Sequence, residues 1–542
     1  MKRVGLLFSI LLLHSAIDAF AQGNEIDAYT LSNPELNGTA RSMAMGGAFG
    51  ALGGDLSVIA NNPAGLGIYR SSVVSGTLDL SRTSTSTDWS GVSADRNKSR
   101  FTLSNFAFSL YFPTGSDGMR NWSFGFSYNR LKNYQRSYKM ANNGQTYSMA
   151  DFAAWRASNA FGYGNGISLR DITLTDNYDP YNNSSLSGNW LPILGYESGM
   201  FDHFVGRDND YQSAFGGWSD NGQQWLIDSP TKSTMIVNEN GHMDDYNFGL
   251  GFNMSNAFFW GLSLSVTDID YRYSSFYDEL FSNSPKNDYL YMENRLNTKG
   301  TAVAVNIGAI LNLEKIRLGV AYNSPRYYEM TDYYSAWAGT EINGFDVPKM
   351  ESETPEKSYS EYSFRTPDKW LFSAALVLGQ SAVISADYEM MNYKNMQFAD
   401  RDGGTNFDAN DYIKEDYTWS HTMKLGTEIN VNRRFALRAG YVMQTSPMRK
   451  SLANNDVEVL PAGTISHFTV TSKPTNTITA GMGFRFTPNV FMDLAWLYRI
   501  NHAHAYAFSN TYNSKKETDV HASPAKLLTK STRFILTLGY KF

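Results

Sequence analysis

A hydrophobic rhythm of period two, held over long segments, limits this chain to very few folds. At the C-terminus Phe534, Leu536, Leu538, Tyr540 and Phe542 are large and apolar, and Arg533, Ile535, Thr537, Gly539 and Lys541 lie between them. Trp122, Phe124, Phe126 and Tyr128 interleave with Ser123, Gly125, Ser127 and Asn129. Ile478, Ala480, Met482, Phe484 and Phe486 alternate with Thr477, Thr479, Gly481, Gly483 and Arg485. A period of two sends alternate side chains to opposite faces of a strand. Many of these segments are as long as a tilted strand needs to be to cross a bilayer, about nine to eleven residues. Their polar partners include charges, which sets them apart from the inner face of a soluble sandwich.

Fourteen such segments can be marked: 72–82, 101–112, 121–131, 244–255, 258–272, 301–312, 315–323, 368–379, 382–393, 419–430, 433–444, 475–487, 489–501 and 530–542. The connections alternate in length. Asn256-Ala257, Leu313-Glu314, Gln380-Ser381, Val431-Asn432 and Pro488 are tight turns, and Pro113 to Met119 is a short one. Residues 83–100, 132–243, 324–367, 445–474 and 502–529 are the long connections. Tight turns on one side, long loops on the other and an even strand count are expected of an all-β, 14-stranded antiparallel transmembrane β-barrel. Only closure satisfies the backbone hydrogen bonds of every strand in hydrocarbon.

Composition excludes other classes. Mean hydropathy is −0.37, and past the N-terminus no apolar run reaches the roughly 18 residues of a spanning helix. The net charge of −6, with both signs interspersed, argues against a nucleic-acid partner. With no cysteine there is neither a disulfide framework nor a thiolate metal site. Lys2-Arg3, the apolar run Val4 to Leu13 and the small-x-small Ala19-Phe20-Ala21 read as a signal peptide over residues 1–21, cleaved after Ala21. Residues 22–70 are rich in Gly and Ala and contain Asn61-Asn62-Pro63-Ala64-Gly65. Their length and small side chains suit a plug folded inside the barrel formed by residues 71–542, whose largest extracellular loop is 132–243.

Several blocks together resemble the FadL/TodX family of outer-membrane transporters for long-chain fatty acids and other hydrophobic compounds. They are Gly46-Gly47 through Asp55, Asn62 to Leu66, Gly319-Val320-Ala321-Tyr322-Asn323-Ser324-Pro325, Thr366-Pro367-Asp368-Lys369-Trp370, Ala386-Asp387-Tyr388 and Leu437-Arg438-Ala439-Gly440-Tyr441. The resemblance implies a fourteen-stranded barrel with an N-terminal hatch and passive uptake of a hydrophobic molecule, most simply a long-chain fatty acid. It also implies lateral release through the wall. It places Asn62, Pro63, Ala64 and Gly65 in the gating part of the hatch and a lateral opening near Gly125.

The remaining candidates are weighed on their chemistry. Gly46, Gly47, Gly50, Gly53 and Gly54 lack the preceding strand and the Lys-Ser/Thr of a phosphate loop, so tight packing is the expected role. Parity turns Arg317, Lys424, Glu428, Arg438, Arg485, Asp493 and Arg499 into the lumen, with Asp387 and Glu389 offsetting the positive charge. Arg317, Arg438, Arg485 and Arg499 are the candidates to meet a carboxylate ligand, against a background in which such charges pair with one another. His502 and His504 read as a rim pair, and Asp400 to Asp408 as a turn-rich loop without the closing Glu of a calcium site. No metal, no cofactor and no catalytic constellation are expected. The loop aromatics Trp155, Phe161, Tyr163, Trp190, Trp218 and Trp225 serve either loop packing or an apolar groove. The expectation is a monomer in the outer membrane of a Gram-negative bacterium. Its partners would be a hydrophobic ligand, outer-membrane lipid and, during biogenesis, the barrel-assembly machinery. The alternative is a surface receptor that binds haem or another ligand through its loops.

Overall fold

The computed structural model describes residues 23–218, 225–281, 288–343, 349–355, 358–379, 381–405 and 407–542. The signal segment 1–21 and Gln380 of one expected turn lie outside the described residues. The wall begins with β1 (Val73–Trp89), β2 (Val92–Pro113) and β3 (Met119–Asn133, resuming as Arg136–Asn142). After a long excursion come β4 (Lys232–Met254), β5 (Phe258–Phe281) and β6 (Asp288–Leu313). Three interrupted strands follow: β7 (Ile316–Asn323, Tyr327–Glu341), β8 (Ser358–Arg365, Lys369–Leu378) and β9 (Ala382–Asn392, Gln397–Ala399). The wall ends with β10 (Trp419–Asn430), β11 (Phe435–Gln444), β12 (Phe468–Thr471, Thr475–Arg485), β13 (Val490–Tyr506) and β14 (Ala525–Lys541). Successive strands pair antiparallel, and β14 pairs with β1 from Val73↔Lys541 to Trp89↔Ala525, which closes the ring. The protein is a closed fourteen-stranded barrel.

The alternation seen in the sequence is the lipid–lumen alternation of this wall. On β6, Val303, Val305 and Ile307 are each more than half exposed, whereas Ala304 and Asn306 between them are buried. Ring pairs mark the ends of the apolar belt. Phe112 stacks on Trp122 at 4.2 Å and Phe252 on Trp260 at 4.3 Å at the short-turn side, and Tyr128 faces Tyr246 at 5.6 Å toward the other side. Amphipathic rings prefer these interfacial depths.

One expectation is overturned. Residues 83–100 are not a long loop: β1 and β2 run on to a two-residue turn at Ser90-Gly91, both at positive φ (52° and 88°), the geometry that matches strand twist. The loop segment 132–243 likewise begins and ends as strand. Thr83 to Asp88 and Asp95 to Lys98 are polar on both faces because the hairpin stands above the belt, in water outside and against polar groups inside. There the hydrophobic period disappears while the strand continues.

Residues 23–70 lie inside the ring as short helices, Glu25–Ser32, Ala40–Ala44 and Val58–Asn61, and a 3-10 turn, Pro63–Ile68. The long-loop mouth is filled by a cap built from residues 143–218 and 225–231 and the described parts of the loops after β9, β11 and β13. Its helices Met149–Ser158 and Trp190–Glu197 pack into one apolar cluster with the first hatch helix. Phe152 stacks on Phe508 at 5.3 Å, and Trp190 is 1% exposed. Ser148 caps the first cap helix, its hydroxyl accepting from Ala150 N and Asp151 N.

His467, in the cap just before β12, is buried between Tyr138 and Tyr273, with ring-nitrogen to hydroxyl distances of 2.8 and 3.3 Å. Burial, helped by the nearby Arg136 charge, pushes its pKa down to about 3. A histidine held neutral in the folded state stabilises it fully above the unfolded value near 6.5, and that contribution is lost as pH falls toward 3. Proteolytic protection of residues 143–231 will therefore fall more steeply below pH 6.5 in the wild type than in His467→Gln. Identical pH profiles for the two would refute the assignment.

Candidate functional site

The hatch is held by a wall stripped of side chains where the two touch. A Cβ on Gly261 would stand 2.5 Å from the Pro63 carbonyl carbon, one on Gly319 2.6 Å from Gly50 O, and one on Gly481 2.5 Å from the Ala44 Cβ. A Cβ on Gly308 would overlap Asn62 Oδ1. These glycines are the small inward partners of the outward aromatic and aliphatic rhythm. Asn62 is fully buried; its Nδ2 donates to Gly50 O at 2.6 Å and its Oδ1 accepts from Ala64 N at 3.2 Å. Pro63 and Ala64 meet Gly261, and Gly65 packs on Gly53 and Val58. Gly46, Gly47, Gly53 and Gly54 all take positive φ, so the glycine run makes tight turns.

Lumenal charges complete the attachment. Arg41 of the hatch pairs in bidentate fashion with Glu428 (2.8 and 2.9 Å), which also takes Arg438 Nε at 2.6 Å; Arg438 in turn reaches Asp493 at 2.6 Å. Arg317 donates to Leu52 O (2.6 Å) and Arg533 to Leu36 O (2.7 Å), while Asp387 accepts from Gly50 N (2.9 Å). The structure thus divides the four lumenal arginines. Arg317 and Arg438 are occupied by hatch and wall. Arg485 is exposed at the short-turn mouth, and Arg499, paired with Glu35 at 2.8 Å, faces an open chamber.

That chamber lies between hatch and cap, with two lobes that share Glu35, Arg499 and Arg533. Most of its cations are matched: Arg136 with Glu239 (2.9 Å), Arg326 with Asp245 (3.3 Å), Lys424 with Glu389 (2.6 Å) and Arg533 with Asp79 (2.8 Å). Lys132 differs. It lies over the Tyr134 ring at 4.9 Å and donates to Thr30 O at 2.8 Å, and among the described residues it has no carboxylate partner. It falls at the first residue of the segment read from the sequence as loop 132–243; a bulge at Leu131 shifts the register between Arg130↔Asp244 and Lys132↔Met243 and turns Lys132 to the inside.

Beside the chamber the wall is incomplete. β2 and β3 pair only from Pro113↔Asn121 to Asn105↔Asn129. Above this β3 breaks at Tyr134-Gln135, resumes as Arg136–Asn142 against β4 alone, and passes inside β1, where Thr87 Oγ1 donates to Lys139 O. Gly125 lies below the break, paired on both sides with Ser109 and Gly249, and its bare Cα receives Ile59 and Leu66 of the hatch.

Other sequence candidates fall outside this arrangement. The alternation that turns Arg499 inward turns His502 and His504 outward. Asp400 accepts from Asp402 N and Gly404 N in a surface turn, next to Asn406, which lies outside the described residues. Trp190 is core, Trp155 donates to Asp519 at 3.1 Å, and Phe161 and Tyr163 are exposed. The Trp218 and Trp225 side chains lie outside the described residues.

A lipid-facing barrel with an internal hatch, a polar chamber and a broken strand beside it defines a plugged transmembrane channel. The profile of the family described as outer membrane protein transport protein (OMPP1/FadL/TodX) matches residues 243–542, more than half of the chain. The chain belongs to this family, a family of transport channels of the outer membrane. A FadL homologue from Pseudomonas aeruginosa is 12% identical, with 94% of this chain and 99% of that chain covered at a TM-score of 0.50. The toluene transporters TodX of P. putida (13% identical, 93% and 98% covered, TM-score 0.45) and TbuX of Ralstonia pickettii (12%, 93% and 98%, 0.43) are further structural neighbours. No curated protein sequence matches the chain.

The bare contact at Gly308 generates a direct test. Gly308→Leu drives a side chain into Asn62, an overpacking cost of about 1–3 kcal/mol, and displaces the hatch. Steady ion conductance across planar bilayers is expected from this variant and not from the wild type. A silent Gly308→Leu barrel would show that this contact does not hold the plug.

Proposed function

We propose that the protein admits hydrophobic molecules passively across the outer membrane, and that its cargo is a carboxylate-bearing amphiphile of the long-chain fatty acid kind. The observation that carries this reading is Lys132, a chamber cation that donates to a backbone carbonyl and lies over a ring, directly behind the break in β3; the carboxylates that act on it from a distance, Glu35 and Glu239, are paired with Arg499 and Arg136. A carboxylate is a better acceptor for an ammonium than a neutral carbonyl is, whereas a toluene-like hydrocarbon gains nothing there. Arg499 lies across the same chamber. In this reading the hatch segment Asn62 to Gly65 gates the path toward the periplasm. The gap between β2 and β3 above Asn105 is the lateral door, on the far side of the Asn105↔Asn129 pair from Gly125.

The signal peptide with cleavage after Ala21, assembly by the barrel machinery and a monomeric state belong to the same proposal. A haem receptor is not favoured, since His502 and His504 face away from the chamber.

Oleate titrated into detergent-purified protein, with toluene as competitor, tests the cargo. Lys132→Met is expected to weaken oleate about tenfold or more, the loss of one hydrogen bond to a charged group, and to leave toluene unaffected. Equal oleate affinity in variant and wild type, or binding of toluene alone, would exclude the carboxylate reading.

A further inference from the structure

The gap in the wall is bridged by side chains where the backbone ladder is missing. On the side of β2 that faces β3, the edge from Val92 to Ser104 has no strand partner among the described residues. Two cations of that edge reach across instead. Lys98 Nζ donates to Glu239 O at 3.2 Å and to Asn240 Oδ1 at 3.0 Å, and Arg100 Nη1 donates to Gly241 O at 3.0 Å. Gly241 O also takes Tyr134 N at 3.2 Å, so the bridge lands on the residue that anchors the break in β3. Gly241 itself sits at φ +114°, where a Cβ would overlap Asp270 O, so no side chain obstructs the landing site.

The acceptors are what make this bridge unusual. Every hydrogen-bond acceptor of Lys98 and Arg100 among the described residues is neutral. The two nearest carboxylates are already held, Glu239 by Arg136 and Tyr271, and Asp244 by Arg130. Phe101 and Leu103 alternate with these cations and face the bilayer, 66% and 49% exposed. An amphiphile passing the door with its tail beside Phe101 presents its head at the height of Arg100. Lys132 lies behind the same opening, inside the chamber.

The geometry points to Lys98 and Arg100 as an electrostatic latch on the lateral door, released by the anionic head of the ligand itself. An anion exchanges two neutral acceptors for a charged one, which strengthens the hydrogen bonds of both cations and frees the carbonyls of β4 that hold the seam shut. A neutral hydrophobe cannot make that exchange and meets a closed door. The latch would therefore pass acids in preference to their esters at the step of lateral release. This inference rests on the proposed transport function.

Import of oleate and of methyl oleate into proteoliposomes reads the latch directly. The wild type is expected to favour the acid by about tenfold, the scale of one charge-assisted hydrogen bond. Lys98→Gln/Arg100→Gln is expected to bring the ratio close to one by raising ester import, and Lys98→Arg to keep the wild-type ratio. The closed barrel is verified by its heat-dependent gel migration. Should the double variant fail to close, Lys98→Met and Arg100→Met are measured singly, each expected to lower the ratio. An unchanged ratio in closed variants overturns the latch and leaves the transport reading standing. A wild type that imports neither compound overturns both.

Discussion

Inside hydrocarbon every backbone donor and acceptor needs a partner within the protein, and this requirement governs the molecule. The register of β14 on β1, unbroken over the whole of β1, meets it by removing the last edge. Closure in turn creates a lumen too wide for wall side chains alone to fill, and the chain fills it with its own N-terminal segment. The break in β3 is tolerated because it comes at the upper margin of the belt, where Lys98 and Arg100 supply hydrogen bonds that lipid cannot.

Hatch and wall are fitted by two complementary devices. Glycines at the inward positions of β5, β6, β7 and β12 let the hatch backbone approach the wall backbone directly. Arg41, Glu428, Arg438 and Asp493 then tie the two together in a buried network with balanced charge. Removing one member of such a network leaves an uncompensated buried charge, which is worse than removing the whole set. The plug is therefore positioned by shape and charge together, whereas in the chamber above it Lys132 is held by a backbone carbonyl and not by an ion pair among the described residues.

The barrel was legible because lipid imposes its own period on the sequence. Phe534 to Phe542 or Trp122 to Tyr128 read as strands since one face must be apolar and the other need not be. Where the wall leaves the belt that constraint lapses, and Thr83 to Asp88 look like loop although they are strand. The candidate site was less legible for a related reason. Lys132 stands at the start of what the sequence presents as the long loop 132–243, and only the bulge at Leu131 turns it inward, while Arg317 and Arg438, correctly turned inward, prove to be committed to hatch and wall. The latch cations could not be recognised without knowing that β3 leaves β2 at Asn129.

The unequal height of the wall has a further consequence. β6 has 26 residues; at about 3.3 Å per residue and a tilt near 40° it rises roughly 65 Å, against an apolar belt about 25 Å tall. Much of this rampart stands clear of the bilayer, and the cap sits at its summit. In the proposed release a greasy cargo has no need to climb back over it: the low side of the rampart, beside β2 and β3, would set it down at the depth of the acyl chains.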